Sequence, residues 1–168
     1  IGGELARKAA ALEVRVIGTR RNPAPMAGVE RVYAPEQTDE VLAQSDYVVL
    51  LLPATPATDN LMNAARFAAM KPTAWLINFG RGHIIKDDDL IEAVTHKRIA
   101  GAVLDVFRTE PLPQDHPFWT TPGITVLPHI GGLHPERDHV VATLMVENLR
   151  HFLDGTPMRE VVDRAVGY

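Results

Sequence analysis

Three polar residues follow three apolar runs in this chain. Arg81 comes just after "AWLINF", Glu110 follows "AVLDVF", and His129 follows "ITVLP". Their types are complementary. Arginine holds a carboxylate through two parallel N–H bonds and keeps its charge. Histidine passes a proton near neutral pH. A glutamate beside it fixes its tautomer and favours its protonated form. Together they suit anchoring a carboxylate and protonating a neighbouring carbonyl while a nicotinamide delivers hydride, that is, reduction of a 2-oxo acid. Singly, each has a plainer reading: a solvated turn arginine, a loop acid before proline, a structural histidine. Order and placement at strand ends turn the three into a candidate set.

The elements that would position them alternate along the chain. "VRVIG" (14–18), "RVYA" (31–34), "DYVVLLLP" (46–53), "AWLINF" (74–79), "AGAVLDVF" (100–107) and "ITVLP" (124–128) read as strands. An Ala-rich segment after Gly2, "TDEVLAQS", "AARFAAM", "DDDLIEAVTHKR" and "PERDHVVATLMVENLRHFLDG" read as helices. In the fourth, Asp87 or Asp88 supplies a candidate N-cap, acids sit at the positive end, and Lys97 and Arg98 sit at the negative end. The last shows apolar residues three and four apart from Val140 to Leu153, and Gly155 stops it. Strands apolar on both faces, alternating with helices, predict a doubly wound parallel α/β sheet. In such sheets ligands bind beyond the carboxyl ends of the strands, so Arg81, Glu110 and His129 are expected to meet there. Phe118 and Trp119, in the long Pro-rich loop, are core plugs or interface residues.

Composition narrows the partners. The chain has 168 residues, 46% hydrophobic and 23% charged, with a net charge of −4. That balance argues against nucleic acid or an anionic membrane as main partner. There is no cysteine, which excludes disulfide and thiolate chemistry and is natural for a cytoplasmic protein. No apolar run has the ~18 residues of a spanning helix. The histidines show no metal-ligand spacing, and the Asp87-Asp88-Asp89 run reads as a helix start.

A doubly wound sheet carries its phosphate-binding glycines in the first strand-to-helix turn. Gly2 fits the last glycine of G-x-G-x-x-G, where close helix–strand packing leaves no room for a side chain. The first strand and first two glycines would then precede Ile1. Without that strand, "VRVIG" and "VVLLL" are expected to leave backbone groups unpaired. The 168-residue chain alone is therefore expected to be an incomplete, inactive nucleotide-binding domain. At the tip of "VRVIG", an acid would bind the ribose hydroxyls of NAD, whereas Arg accommodates the 2′-phosphate of NADP. Thr19, Arg20 and Arg21 stand there with no acid, which favours NADP over NAD.

The wording around these residues carries a resemblance. "NFGRGHIIKDDDLIEAV", "GAVLDVFRTEPLP" and "LPHIGG", in that order and after "LLLPATPATDNLMNAARFAAMKPTAWLIN", resemble the D-isomer-specific 2-hydroxyacid dehydrogenase family over nearly the whole chain. "GTRRNP" resembles the glyoxylate/hydroxypyruvate-reductase-like branch. The resemblance implies a Rossmann-like domain and catalytic roles for Arg81, Glu110 and His129. It implies nicotinamide contacts from Asp105, and further cofactor contacts from Leu52, Pro53, Thr58, Phe79, Gly80, His129 and Gly131. Gly131 and Leu127 depart from the residues common in the family, beside the triad and not in it. The resemblance also implies a homodimer, with Phe118 and Trp119 near its interface. It divides the chain into a dinucleotide-binding domain, 1–155, and a tail, 156–168, returning to an N-terminal substrate domain absent from this sequence. The competing reading is a non-catalytic, cofactor-sensing interaction module, since the family includes corepressor relatives.

Overall fold

The computed structural model describes residues 1–165. It divides into two compact units, Ile1–Pro128 and a second from His129 onward.

In the first unit the strands are β1 (Ile17–Thr19), β2 (Arg31–Tyr33), β3 (Tyr47–Leu50), β4 (Trp75–Asn78), β5 (Gly101–Leu104) and β6 (Ile124–Val126). The helices are α1 (Gly2–Ala11), α2 (Thr38–Gln44), α3 (Ala64–Ala69) and α4 (Asp87–Thr95). All pairings are parallel, as the two-sided apolar runs predict. The sheet is in two pieces: β1 pairs with β2, and β3, β4, β5 and β6 pair in chain order.

Register makes the break concrete. Trp75 N–H donates to Asp46 C=O at 2.9 Å, and Phe79 N–H to Leu50 C=O at 3.1 Å. Alternate residues of a parallel strand bond to opposite sides. Tyr47 and Val49 therefore turn their peptide groups away from β4, toward an edge that carries no strand among the described residues. Their side chains are 68% and 38% exposed, so β3 is not covered on both faces as its sequence predicts. β4 and β5 are covered, and the core gathers on them with Met62, Phe67, Ile84, Leu90 and Ile99. Each such fully buried side chain stabilises by roughly 1.5–3 kcal/mol.

Two local readings change. β1 starts at Ile17, not Val14: it extends only where β2 lies opposite, and Glu13 just before takes a left-handed φ of 63°. The acids of α4 do not cap their own helix; Lys86 occupies the N-cap position and its side chain makes no capping bond. Asp89 instead accepts from Ala64 N–H at 2.8 Å, capping α3, and pairs with Lys86 at 3.0 Å. Lys86, then the Ala64 amide, holds its carboxyl below the ordinary aspartate range. A depressed folded-state value gives stability that is present above the unfolded value and lost as pH falls through the folded one. Asp89→Ala is expected to cost about 1 kcal/mol at neutral pH. The difference from wild type should vanish as the wild-type carboxylate protonates, and urea midpoints measured across that range check it.

Of the loop residues, Phe118 is buried against Phe107 and His116, while Trp119 is half exposed. In the second unit, α5 (Arg137–Leu153) ends with Gly155 at φ 67°. No residue of α5 is buried; Met145, Leu149, Phe152 and Leu153 are exposed. The tail after Gly155 is described up to Ala165, and 166–168 lie outside the described residues. Among the described residues no helix is long and apolar enough to cross a membrane, and no group of acids and histidines is placed to hold a metal ion.

Candidate active site

Arg81 leaves β4 in an extended conformation, φ −143° and ψ 147°, with its side chain exposed. The turn that holds it is fastened from below by Asn78, which is fully buried at the end of β4. Asn78 Oδ1 accepts from Gly80 N–H at 3.0 Å, and its Nδ2 donates to Arg81 C=O at 3.1 Å. Asn78 is a site residue that the sequence reading overlooks. The signal is there: an Asn bonding backbone two or three residues on is a turn device. Leaving such a buried group unpaired costs about 1–3 kcal/mol.

The glycines beside Arg81 are required by space, not by φ. A Cβ on Gly80 would stand 2.8 Å from Leu52 O and 2.9 Å from Ile84 Cδ1. On Gly82 it would stand 1.9 Å from the carbonyl carbon of Phe107 and 2.3 Å from Arg108 N. The Arg81 turn is thus pressed between the end of β3 on one side and the chain after β5 on the other.

That chain carries Glu110. Its Oε1 accepts from Phe107 N–H at 2.9 Å, folding residues 107–110 into a hook whose backbone lies on Gly82. The segments bearing Arg81 and Glu110 are therefore in backbone contact. Asp105, 2% exposed, is held at the end of β5, its N–H donating to Asn78 C=O at 3.1 Å. Asn78 and Asp105 are the two buried polar side chains among the described residues, and they sit on neighbouring strand ends.

Thr58 closes the loop after β3. Its hydroxyl donates to Pro53 C=O at 2.7 Å and accepts from Thr55 N–H at 2.9 Å. Leu52, Pro53 and Phe79 are half-buried along these strand ends. At β1, Thr19 ends the strand, and Arg20 and Arg21 are exposed. Gly2 opens α1, and a Cβ there would meet Leu51 Cδ1 at 3.6 Å, an ordinary contact. Close packing therefore does not demand glycine at that position. His129 follows Pro128 and opens the second unit, exposed, with a left-handed φ of 55°; Gly131 is exposed two residues on. A left-handed non-glycine residue is uncommon, and such residues concentrate at functional sites.

A cluster of charge sits behind the Arg81 turn. Arg108 lies 3.5 Å from Asp59 and 3.8 Å from Asp87, and His116 Nε2 lies 3.7 Å from Asp87. Burial pushes the Asp87 carboxyl up, against the opposing pull of Arg108 and then His116.

Residues 1–131 match the family model described as D-isomer specific 2-hydroxyacid dehydrogenase, NAD binding domain. Glyoxylate/hydroxypyruvate reductase A of Serratia proteamaculans is 36% identical over 171 aligned residues, covering 100% of this chain and 53% of that protein. The human glyoxylate reductase/hydroxypyruvate reductase is 39% identical, with 94% of this chain and 48% of that protein covered. The crystal structure of the NADPH-dependent glyoxylate/hydroxypyruvate reductase of Sinorhizobium meliloti, in complex with NADP and sulfate, superposes with a TM-score of 0.91. It is 34% identical, and the match covers 99% of this chain and 54% of that one. The chain spans about half the length of the relatives it matches. With its parallel strands, its NFGRG turn and its matched length, the chain belongs to the D-isomer specific 2-hydroxyacid dehydrogenase family, as an NAD-binding domain.

Proposed function

We propose that this chain is the cofactor-binding part of an NADP-preferring reductase of small 2-oxo acids of the glyoxylate and hydroxypyruvate kind. One observation carries the reading: the Arg81 turn is clamped between strand ends and in backbone contact with the Glu110 hook, within a fold whose relatives are named as such reductases. When bound, the nicotinamide cofactor supplies the hydride. Arg81 anchors the substrate carboxylate with two charge-assisted bonds. His129 and Glu110 serve as the acid/base pair that supplies a proton to the carbonyl oxygen. Asp105 orients the carboxamide of the nicotinamide. Gly2, Leu52, Pro53, Thr58, Phe79, Gly80, His129 and Gly131 line the cofactor.

The residues fit a 2′-phosphate. Thr19, Arg20 and Arg21 end β1 on the surface, and residues 19–22 hold no carboxylate to repel it. The relative crystallised with NADP supports the same choice. A cytoplasmic homodimer is the assembly that the family resemblance and the cysteine-free chain support.

The test is turnover of glyoxylate and hydroxypyruvate by the intact protein, followed through NADPH or NADH consumption. NADPH is expected to give the higher kcat/KM. Changing Arg20 and Arg21 together to serine should lower kcat/KM for NADPH by about ten- to a hundredfold, the loss of one or two charge-assisted bonds. The NADH value should hardly move. Equal use of both cofactors before and after would sink the NADP assignment. Protection from unfolding by NADPH without turnover of any 2-oxo acid would favour the cofactor-sensing module instead.

A further inference from the structure

Arg108 stands two residues before Glu110 and reaches into the ground behind Arg81. Its side chain is half-buried, 29% exposed. Nη2 donates to the side-chain oxygen of Asn60, to His83 C=O at 3.0 Å and to Ile85 C=O at 2.8 Å. Nε also donates to Ile85 C=O, at 3.1 Å. Asp59 and Asp87 supply the compensating charge at 3.5 and 3.8 Å.

Two segments far apart in sequence therefore meet on one planar fork: the loop holding Asp59 and Asn60, and the stretch that runs from the turn after Arg81 into the start of α4. They also pair directly, through Asn60 N–H to His83 C=O at 2.8 Å and Met62 N–H to Ile84 C=O at 2.9 Å. The backbone of Arg108 is the surface on which Gly82 rests, and the amide just before it is held by Glu110. Moving Arg108 thus moves the seat of the Arg81 turn and the root of the Glu110 hook together.

We infer that Arg108 is a positioning residue, which sets the Arg81 turn and the Glu110 hook in register with each other. The inference rests on the reductase reading for its catalytic consequence, but not for its structural one. A lysine keeps the charge yet has no planar fork, so it cannot hold both segments at once.

The experiment compares the intact protein with Arg108→Lys and Arg108→Met. Steady-state kinetics with glyoxylate and NADPH are run beside hydrogen exchange of the cofactor-free protein. Arg108→Lys is expected to lose at least tenfold in kcat/KM for the 2-oxo acid. The KM for the 2-oxo acid should rise and the KM for NADPH stay within twofold, a split that a mere loss of folded protein would not give. Peptides covering 81–85 and 107–110 should exchange at least tenfold faster, while those of β5 keep wild-type rates. Arg108→Met should show the same split more strongly. Wild-type kinetics and wild-type exchange in Arg108→Lys would overturn the inference, as would equal changes in both KM values. If the wild-type protein turns over no 2-oxo acid, the reductase reading fails on its own. The exchange rates then decide the positioning role: faster exchange at 81–85 and 107–110 supports it, and unchanged exchange overturns it.

Discussion

Asparagine in place of His129 is expected to lower kcat for 2-oxo acid reduction by about 10²–10⁴-fold, the range for loss of a general acid. The choice of asparagine follows from the backbone. His129 has a φ of 55°, a region that alanine enters at a cost of roughly 1–2 kcal/mol and asparagine enters readily. His129→Asn should therefore keep the melting temperature within about 2 °C of wild type. Protection by NADPH should also survive, because most of the proposed cofactor contacts come from other residues. Turnover like that of the wild type would remove His129 from the chemistry. A collapse of the fold would be read from the melting curve and not mistaken for lost catalysis.

Alanine at Gly82 should be the most damaging small substitution in the described chain. Its Cβ would lie 1.9 Å from the carbonyl carbon of Phe107 and 2.3 Å from Arg108 N. Both obstacles are backbone, so no side chain can swing aside. Overpacking usually costs about 1–3 kcal/mol, and a backbone clash belongs at or above the top of that range. For a chain of this size that is a fall in melting temperature of about 6–12 °C. Gly3→Ala is the control in the same experiment. A Cβ there meets nothing nearer than Met26 Sδ at 3.7 Å, inside α1, where alanine is the better helix former. That variant should be neutral or up to about 1 kcal/mol more stable. If Gly82→Ala melts like wild type, the Arg81 turn and the Glu110 hook are not packed as described.

The strands and helices were legible because their periodicities are strong and their punctuation is plain. Arg81, Glu110 and His129 are singled out as candidates by type and strand end alone. Contacts between distant segments were not legible. Nothing in "DDDLIEAV" says that Asp89 caps α3 and not its own helix; that depends on where Ala64 lies. Nothing in "NFGRG" separates a glycine needed for φ from one needed for clearance, and here it is clearance. Arg108 reads as an ordinary loop cation until the loop holding Asn60 and the turn holding Ile85 are folded around it. The start of β1 was misjudged for the same reason. Val14 is as apolar as Ile17, but strand length is fixed by the partner, and β2 reaches only as far as Ile17.

The strand order has a consequence for how the molecule is made. Tyr47 pairs with Trp75, Trp75 with Gly101, and Ala102 with Ile124. Every strand of the larger sheet docks on the one synthesised just before it, so each loop closed is short and its entropy cost modest. A chain emerging from the ribosome can lay down this sheet in sequence, without waiting for a later strand to slip between earlier ones. The turn with Arg81 is seated when β4 docks, its Gly82 face is closed when the chain after β5 arrives, and the strand leading to His129 comes last.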